Sequence, residues 1–254
     1  MMYLKKIIIW VSSLVIIGLF EIWTFYPHSL YTVIVSLFFT VSFSIWFVLV
    51  HKVRAKESVN FFLPIGVFIL SAGIFFTLID QPVIRHFFIV LTVIGYFVEM
   101  QNIFTFLYHP DDYQPYALEN INGYINLASF FLLVSSLYGV ILFFSWPNWL
   151  AIVCTFCFAS FFSWRAFHAF KIDWSISKVY IIVIGLVLAE TALIINFLPT
   201  SYLFNGMVII IMYYLLLNYL RDYLRHMYDK RLFLRYILIS ISGLILGLLT
   251  TRWF

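Results

Sequence analysis

Charged side chains are scarce in this sequence. Aspartate, glutamate, lysine and arginine make up 10% of its 254 residues, whereas a typical soluble domain carries about a quarter. The hydrophobic fraction is 64%, and a water-soluble chain of this size needs far more charge to cover its surface. These fractions exclude a water-soluble globular protein and predict a protein whose solvent is lipid.

Cysteine is scarce as well. The two cysteines, Cys154 and Cys157, lie inside one apolar segment, which excludes a disulfide framework. Their C-x-x-C spacing is that of redox pairs, but a reactive pair needs an exposed helix start. We therefore interpret both as small apolar residues and expect no cofactor.

The sequence also lacks the motifs of familiar membrane enzymes. It contains no H-E-x-x-H, no G-x-S-x-G, no paired D-x-x-x-D and no Walker loop, which disfavours catalysis. The longest connection begins at His109 and contains Asp111, Asp112 and Glu119, but its spacing matches no known metal loop. We expect a solvated acidic loop and no metal site.

What the sequence does contain is long apolar segments. A helix needs about 20 mostly apolar residues to cross the hydrocarbon of a bilayer, and we find nine such segments. The run after Lys6 has no small-x-small cleavage site, so we interpret it as a retained first helix. We predict an all-α, polytopic bundle that forms a single transmembrane domain over residues 1–254. The predicted spans are 7–25, 30–50, 61–79, 86–108, 122–145, 149–167, 176–198, 203–220 and 233–251.

Lysine and arginine predict the orientation of the bundle, because positively charged loops stay on the cytoplasmic side. Of the 15 such residues, all but Arg85 and Arg252 fall on the side of the N-terminus. The sequence thus predicts a cytoplasmic N-terminus and an external C-terminus. Tryptophan prefers the membrane interface, and all eight tryptophans lie nearer to predicted span ends than to midplanes: Trp10, Trp23, Trp46, Trp146, Trp149, Trp164, Trp174 and Trp253.

Three glutamates within predicted spans are the first candidate sites. Glu99 lies somewhat to the inner side of the midplane in the fourth span, and Glu190 lies toward the outer side in the seventh. Glu21 is near enough to the outer end of the first span to be hydrated. Charged groups are costly and rare in hydrocarbon, so these residues are proton or cation sites, or they bond to polar neighbours and serve helix packing only.

A basic segment after the eighth span is the next candidate. It predicts a collar for anionic lipid headgroups, although orientation alone also requires positive charge there. Nucleic acid is not expected as a partner, because the basic residues lie at span ends. The collar consists of Arg221, Arg225, Lys230, Arg231 and Arg235.

Gly243 and Gly247 form a G-x-x-x-G in the ninth span. This spacing lets two helices approach closely. It favours packing inside the bundle, with a homodimer or another membrane protein as the alternative partner. Pro64 is assigned to the first turn of its span, so the helices are expected to be unbroken, which disfavours a transporter.

The last 65 or so residues, from Glu190 through F-L-P-T-S, the tyrosine-rich eighth span and the basic collar to T-T-R-W, resemble small polytopic membrane proteins of bacteria with no assigned activity. The resemblance implies a bacterial cytoplasmic membrane. It implies nothing about mechanism.

Three functional hypotheses follow. The first is a non-enzymatic structural or accessory membrane component, favoured by the missing motifs. The second is a proton- or cation-coupled carrier of small solutes that uses Glu99 and Glu190. The third is a membrane-embedded enzyme, which would need the loop from His109 to Glu119 to close over a pocket.

Overall fold

The computed structural model describes residues 2–50, 52–114, 116–198, 200–225 and 229–250. Within these residues it is helical without strands and contains nine helices long and apolar enough to span a membrane. The all-α, polytopic fold class is therefore confirmed. The helices are α1 Met2–Phe25, α2 Leu30–Leu49, α3 Ala55–Phe76, α4 Pro82–Tyr108, α5 Ala117–Phe144, α6 Trp149–Ala169, α7 Trp174–Ile195, α8 Tyr202–Leu224 and α9 Lys230–Thr250.

The orientation of the helices in the membrane stays a prediction. Arg252, Trp253 and the T-T-R-W ending lie outside the described residues, as does the proline of F-L-P-T-S, Pro199. Local signals account for several helix starts. Pro82 is the first residue of α4, where its missing N–H is not needed, and the Ser201 hydroxyl accepts from the Phe204 N–H at the start of α8.

The assignment of Pro64 to a first turn is wrong. The third helix begins at Ala55, so Pro64 lies in its interior. The cause is that the polar residues Glu57, Ser58 and Asn60 continue the helix beyond the apolar segment by which the span was recognised. An interior proline cannot donate to the carbonyl of the residue four positions earlier, so the Asn60 carbonyl loses this helical bond.

Contacts divide the chain into two units, residues 1–129 and residues 130–254. In the first unit α1 packs against α2 and α4, and α3 packs against α2 and α4. The core at one end of this unit is aromatic, because Phe76 lies 5.2 Å from both Phe20 and Trp23 between ring centroids. The prediction of one transmembrane domain stays a prediction.

In the second unit α6 and α7 form the most extensive helix pair, and α8 packs against α7 and α9. Small buried side chains recur at every fourth position on α6, at Ala151, Thr155, Ala159 and Ser163. Helix α7 approaches α6 so closely that a Cβ on Gly185 would lie 2.6 Å from the Ser160 oxygen. This is the small-residue packing of membrane helices.

Candidate functional site

The candidate site begins with three hydroxyl groups buried between α1, α2 and α4. The Tyr96 hydroxyl donates to the Ser12 oxygen at 2.9 Å, and its oxygen lies 2.6 Å from that of Ser44. We call Ser12, Ser44 and Tyr96 the hydroxyl triad. Ser12 and Ser44 also donate to carbonyls of their own helices, at 3.1 and 2.9 Å, as serines in membrane helices often do. The triad is a hydrogen-bonded polar centre within the apolar first unit.

Glu99 lies one turn from the triad on the same face of α4. Its side chain is completely buried, with Tyr96, Met100 and Ile103 on the same buried face. Glu99 is about 6 Å along the helix from the midpoint of α4, and its depth in the membrane stays a prediction. The carboxyl is thus enclosed by protein and has no surface toward lipid.

A second polar centre joins α1 and α4 at the end of the pair beyond Glu99. The Lys5 ammonium donates to the Val50 carbonyl at 2.8 Å, to the Val48 carbonyl at 3.3 Å and to the Tyr108 hydroxyl at 2.6 Å. The Tyr108 hydroxyl donates in turn to the Val48 carbonyl at 2.9 Å. Lys5 therefore caps the C-terminus of α2, where carbonyl groups lack helical partners and a positive charge is favoured.

Sequence reasoning used Lys5 only as a marker of orientation. A signal was present, because Lys5, Ile9, Ile16, Phe20 and Trp23 recur at the period of a helix face. All five are buried, so the lysine belongs to the packed face of α1.

We expect Lys5→Met to lower the free energy of unfolding by about 2–4 kcal/mol, because it leaves the Val50 carbonyl and the Tyr108 hydroxyl without their charged partner. Denaturant titration of the purified protein in detergent measures this change. Lys6→Met is the matched control, since Lys6 is exposed in the same turn of α1. Equal effects of the two substitutions would show that the Lys5 cap contributes nothing.

The third glutamate, Glu21, marks the opposite end of the α1–α4 pair. One of its carboxylate oxygens lies 2.9 Å from Nδ1 of His86, and both side chains are partly exposed. Partly exposed ion pairs contribute little to stability. The pair therefore places a titratable contact at the end of α1 without anchoring the fold.

Glu190 lies in the second unit and differs from Glu99 in its surroundings. Its side chain is exposed on α7, beside the exposed apolar residues Leu186, Leu193 and Ile194. Neighbours on this face are apolar, so the carboxyl lies on a surface of the kind that lipid or another helix covers. Glu99 and Glu190 belong to different units, and each is a separate candidate.

The predicted headgroup collar contains two kinds of residue. Arg225, Lys230, Arg231 and Arg235 are exposed. Arg221 is instead tied into the second unit, because its guanidinium bonds Asp222 at 2.9 Å and the Tyr236 hydroxyl at 3.1 Å and lies 5.0 Å from the Phe170 ring centroid. Arg221 thus joins α8 to α9. The other four are exposed, although the Arg225 guanidinium also lies 5.8 Å from the Phe170 ring centroid, and headgroup binding by the collar stays a prediction.

Gly243 and Gly247 face α8. A Cβ on Gly243 would lie 3.1 Å from the Ile211 side chain, and one on Gly247 would overlap the Met207 side chain. The close approach that G-x-x-x-G permits is therefore made inside the second unit.

Residues in the loop from His109 to Glu119 hydrogen-bond to one another. The Tyr113 hydroxyl accepts from the Leu118 N–H at 2.8 Å and donates to the Glu119 carboxylate at 3.4 Å. Burial, with the neighbouring Glu119 charge, raises the pKa of Tyr113, although the bond from Leu118 opposes this. Among the described residues no three His, Cys, Asp or Glu side chains are grouped as metal ligands would be.

Several groups of the first unit that can exchange or carry protons thus lie along the α1–α4 pair. They comprise the Glu21–His86 contact, the hydroxyl triad, the buried Glu99 carboxyl and the Lys5–Tyr108 contact. No protein-family model matches this sequence, and no curated protein or solved structure is significantly similar to it.

Proposed function

We propose that the protein is a proton-coupled carrier of a small solute and that Glu99 binds and releases the coupling proton. The observation that carries this proposal is the complete burial of the Glu99 side chain in a helix long enough to span a membrane. Acidic residues at such positions are the usual elements of proton relays in transporters. Glutamate can both hold and lose a proton, which serine and tyrosine neighbours in hydrocarbon do far less readily.

The hydroxyl triad supports this role. Ser12, Ser44 and Tyr96 offer donors and acceptors one turn from Glu99, and hydroxyls rotate to suit either protonation state of a carboxyl. A polar solute that reaches this site could exchange hydrogen bonds with these groups. The triad is the solute-contacting part of the proposed site.

The spacing of polar groups along α4 supports access of the proton and the solute to Glu99 from one end of the helix at a time. Glu99 is about 14 Å along the helix from Tyr108 and about 20 Å from His86. The longer interval, between Glu99 and His86, contains the buried apolar side chains of Ile16, Phe20 and Ile89. In the proposed cycle this apolar segment is the barrier that opens when the site faces the Glu21–His86 end.

Helix α3 supports the required motion. Its interior Pro64 removes one hydrogen bond, and helices bend most readily at such positions. Because α3 packs on both α2 and α4, a bend in it can change the packing around Glu99. We further place the protein in a bacterial cytoplasmic membrane with its N-terminus inside, on the basis of the lysine and arginine count and the resemblance of its last 65 or so residues.

The test uses the full-length protein in liposomes loaded with a pH-sensitive dye. Pools of amino acids, monosaccharides and small carboxylic acids are added outside, and internal pH is recorded. We expect one pool to acidify the lumen, and we expect dicyclohexylcarbodiimide, which reacts with protonated carboxyls in apolar surroundings, to abolish the response and to label Glu99 in peptide mapping. A lumen that no pool acidifies, or inactivation without labelling of Glu99, would overturn the proposal.

A second candidate function rests on Glu190. Its exposed position among Leu186, Leu193 and Ile194 favours a structural component that self-associates through α7, since two facing carboxyls satisfy each other when one is protonated. A two-fold interface would place the same face of α7 on both sides. In this arrangement Glu190 joins two copies and takes no part in transport.

We expect Leu193→Cys to form a disulfide-linked dimer in liposomes when Cys154 and Cys157 are replaced by alanine, and we expect Glu190→Leu to reduce its yield. The readout is the dimer fraction on a non-reducing gel. The control is Leu91→Cys in the same background, because Leu91 is exposed to a similar degree on α4. A dimer yield at Leu193 no higher than that at Leu91 would rule out this interface.

A further inference from the structure

A groove runs between α2 and α3 on the surface of the first unit. Its cavity volume is about 160 Å³, and apolar groups line it almost completely. Ile34, Leu37 and Phe38 form one wall, and Leu63, Gly66 and Leu70 belong to the other. Apolar cavities of about 150 Å³ stay dry and take apolar guests.

The shape of the groove comes from two glycines of α3. Gly66 and Gly73 both line it, and neither has a side chain to fill the space between the helices. The groove is open to the surroundings, since Phe38, Leu70 and Ile74 are each exposed by more than two fifths. Its opening therefore faces whatever covers the apolar surface of the unit.

The length of the groove suits an acyl chain. Along α3 it extends from Phe62 to Ile74, which is about 18 Å of helix. One leaflet of a bilayer is about 15 Å of hydrocarbon, half of the full thickness. The groove can thus take the part of a lipid chain that lies farther from its headgroup.

Positive charge lies beyond one end of the groove. Lys52 and Arg54, in the connection from α2 to α3, are both exposed, although the Lys52 ammonium also lies 5.5 Å from the Tyr108 ring centroid. Arg54 precedes Phe62 by about 12 Å along the helix axis. The acidic Glu57 lies on another face of α3, since it is about 140° around the helix from Phe62 and about 180° from Gly66. The charge at this end is therefore complementary to an anionic group.

We infer that the groove between α2 and α3 binds one acyl chain of an anionic phospholipid, whose headgroup is held by Lys52 and Arg54. The apolar lining selects a chain and excludes a free anion. The two cations select a negative headgroup, each contributing about as much as a basic residue does near an anionic membrane surface. This site is separate from Glu99 and from the predicted collar, and it does not depend on the proposed transport.

The test is native mass spectrometry of the purified protein with lipids that share palmitoyl and oleoyl chains. We expect at least one phosphatidylglycerol to be retained about tenfold more tightly than phosphatidylcholine. Inorganic phosphate and dihexanoyl phosphatidylglycerol should compete poorly, because neither fills the groove. Equal retention of the two long-chain lipids, or full competition by either short ligand, would overturn the inference.

Matched variants separate this site from general lipid contact. Leu70→Trp fills the groove, and Leu91→Trp places the same side chain at a similarly exposed position of α4. Lys52→Gln with Arg54→Gln removes two charges at the groove, and Lys230→Gln with Arg231→Gln removes two from the collar. We expect about a tenfold loss of phosphatidylglycerol only in the two groove variants, and an equal loss in their controls would refute the assignment. All four substitution sets are at exposed positions, and gel filtration confirms that each variant is folded.

Discussion

Replacing Glu99 by glutamine is expected to reduce solute-driven acidification of liposomes to the level without protein. Glutamine keeps the size of glutamate and can both donate and accept hydrogen bonds, as a protonated carboxyl can, but it cannot exchange a proton. Because the side chain is completely buried, bulk water cannot replace its carboxyl in that role. The effect is expected on transport and not on folding, so gel filtration and helical circular dichroism should match those of the wild type.

Two further variants make the result specific. Glu99→Asp retains a carboxyl at a slightly different position and is expected to keep part of the flux, with a changed dependence on pH. Glu190→Gln is the control, since Glu190 lies exposed on α7, and it should transport as the wild type does. A Glu99→Gln protein that still acidifies the lumen would exclude Glu99 as the coupling site.

Gly206→Ala is expected to destabilise the protein by about 1–3 kcal/mol. A Cβ at this position of α8 would overlap the Ser135 hydroxyl oxygen of α5 and lie 3.1 Å from the Ser135 Cα. Rotation of the serine removes only the first clash, because the second is with backbone. The two helices must therefore move apart, and denaturant titration in detergent measures the cost.

Gly18→Ala is expected instead to stabilise the protein. A Cβ there meets nothing within 4 Å, and alanine favours a helix by up to about 1 kcal/mol over glycine. Ser135→Gly should partly rescue Gly206→Ala, since it removes the clashing side chain. If Gly206→Ala stabilised the protein as Gly18→Ala does, the close contact of α5 and α8 would be refuted.

The positions of the helices along the chain could be predicted from the sequence, because the length of a span depends on the thickness of the bilayer. The start of α3 could not be predicted, since a polar helical turn that contains Ser58 and Asn60 extends beyond the apolar segment. A prediction based on hydropathy therefore places Pro64 in a first turn, although the helix has begun nine residues earlier, at Ala55.

The surroundings of Glu99 and Glu190 could not be predicted either. Both lie in helices that are apolar on all sides, and hydropathy fixes the depth of a residue without fixing its rotation. Small side chains indicate part of this rotation, because Thr155 and Ala159 of α6 lie four residues apart and are both buried. That spacing is visible in the sequence and would have oriented α6, whereas the partners of Lys5 required the folded unit.

The partners of Lys5 are synthesised well after Lys5 itself. The ammonium is made 45 residues before the Val50 carbonyl and 103 residues before the Tyr108 hydroxyl. At about 5–20 residues per second, the ribosome completes these partners several seconds after it has made Lys5. Until then the Lys5 ammonium lacks these partners, so the polar contact at this end of the α1–α4 pair can form only after α2 and α4 have been made.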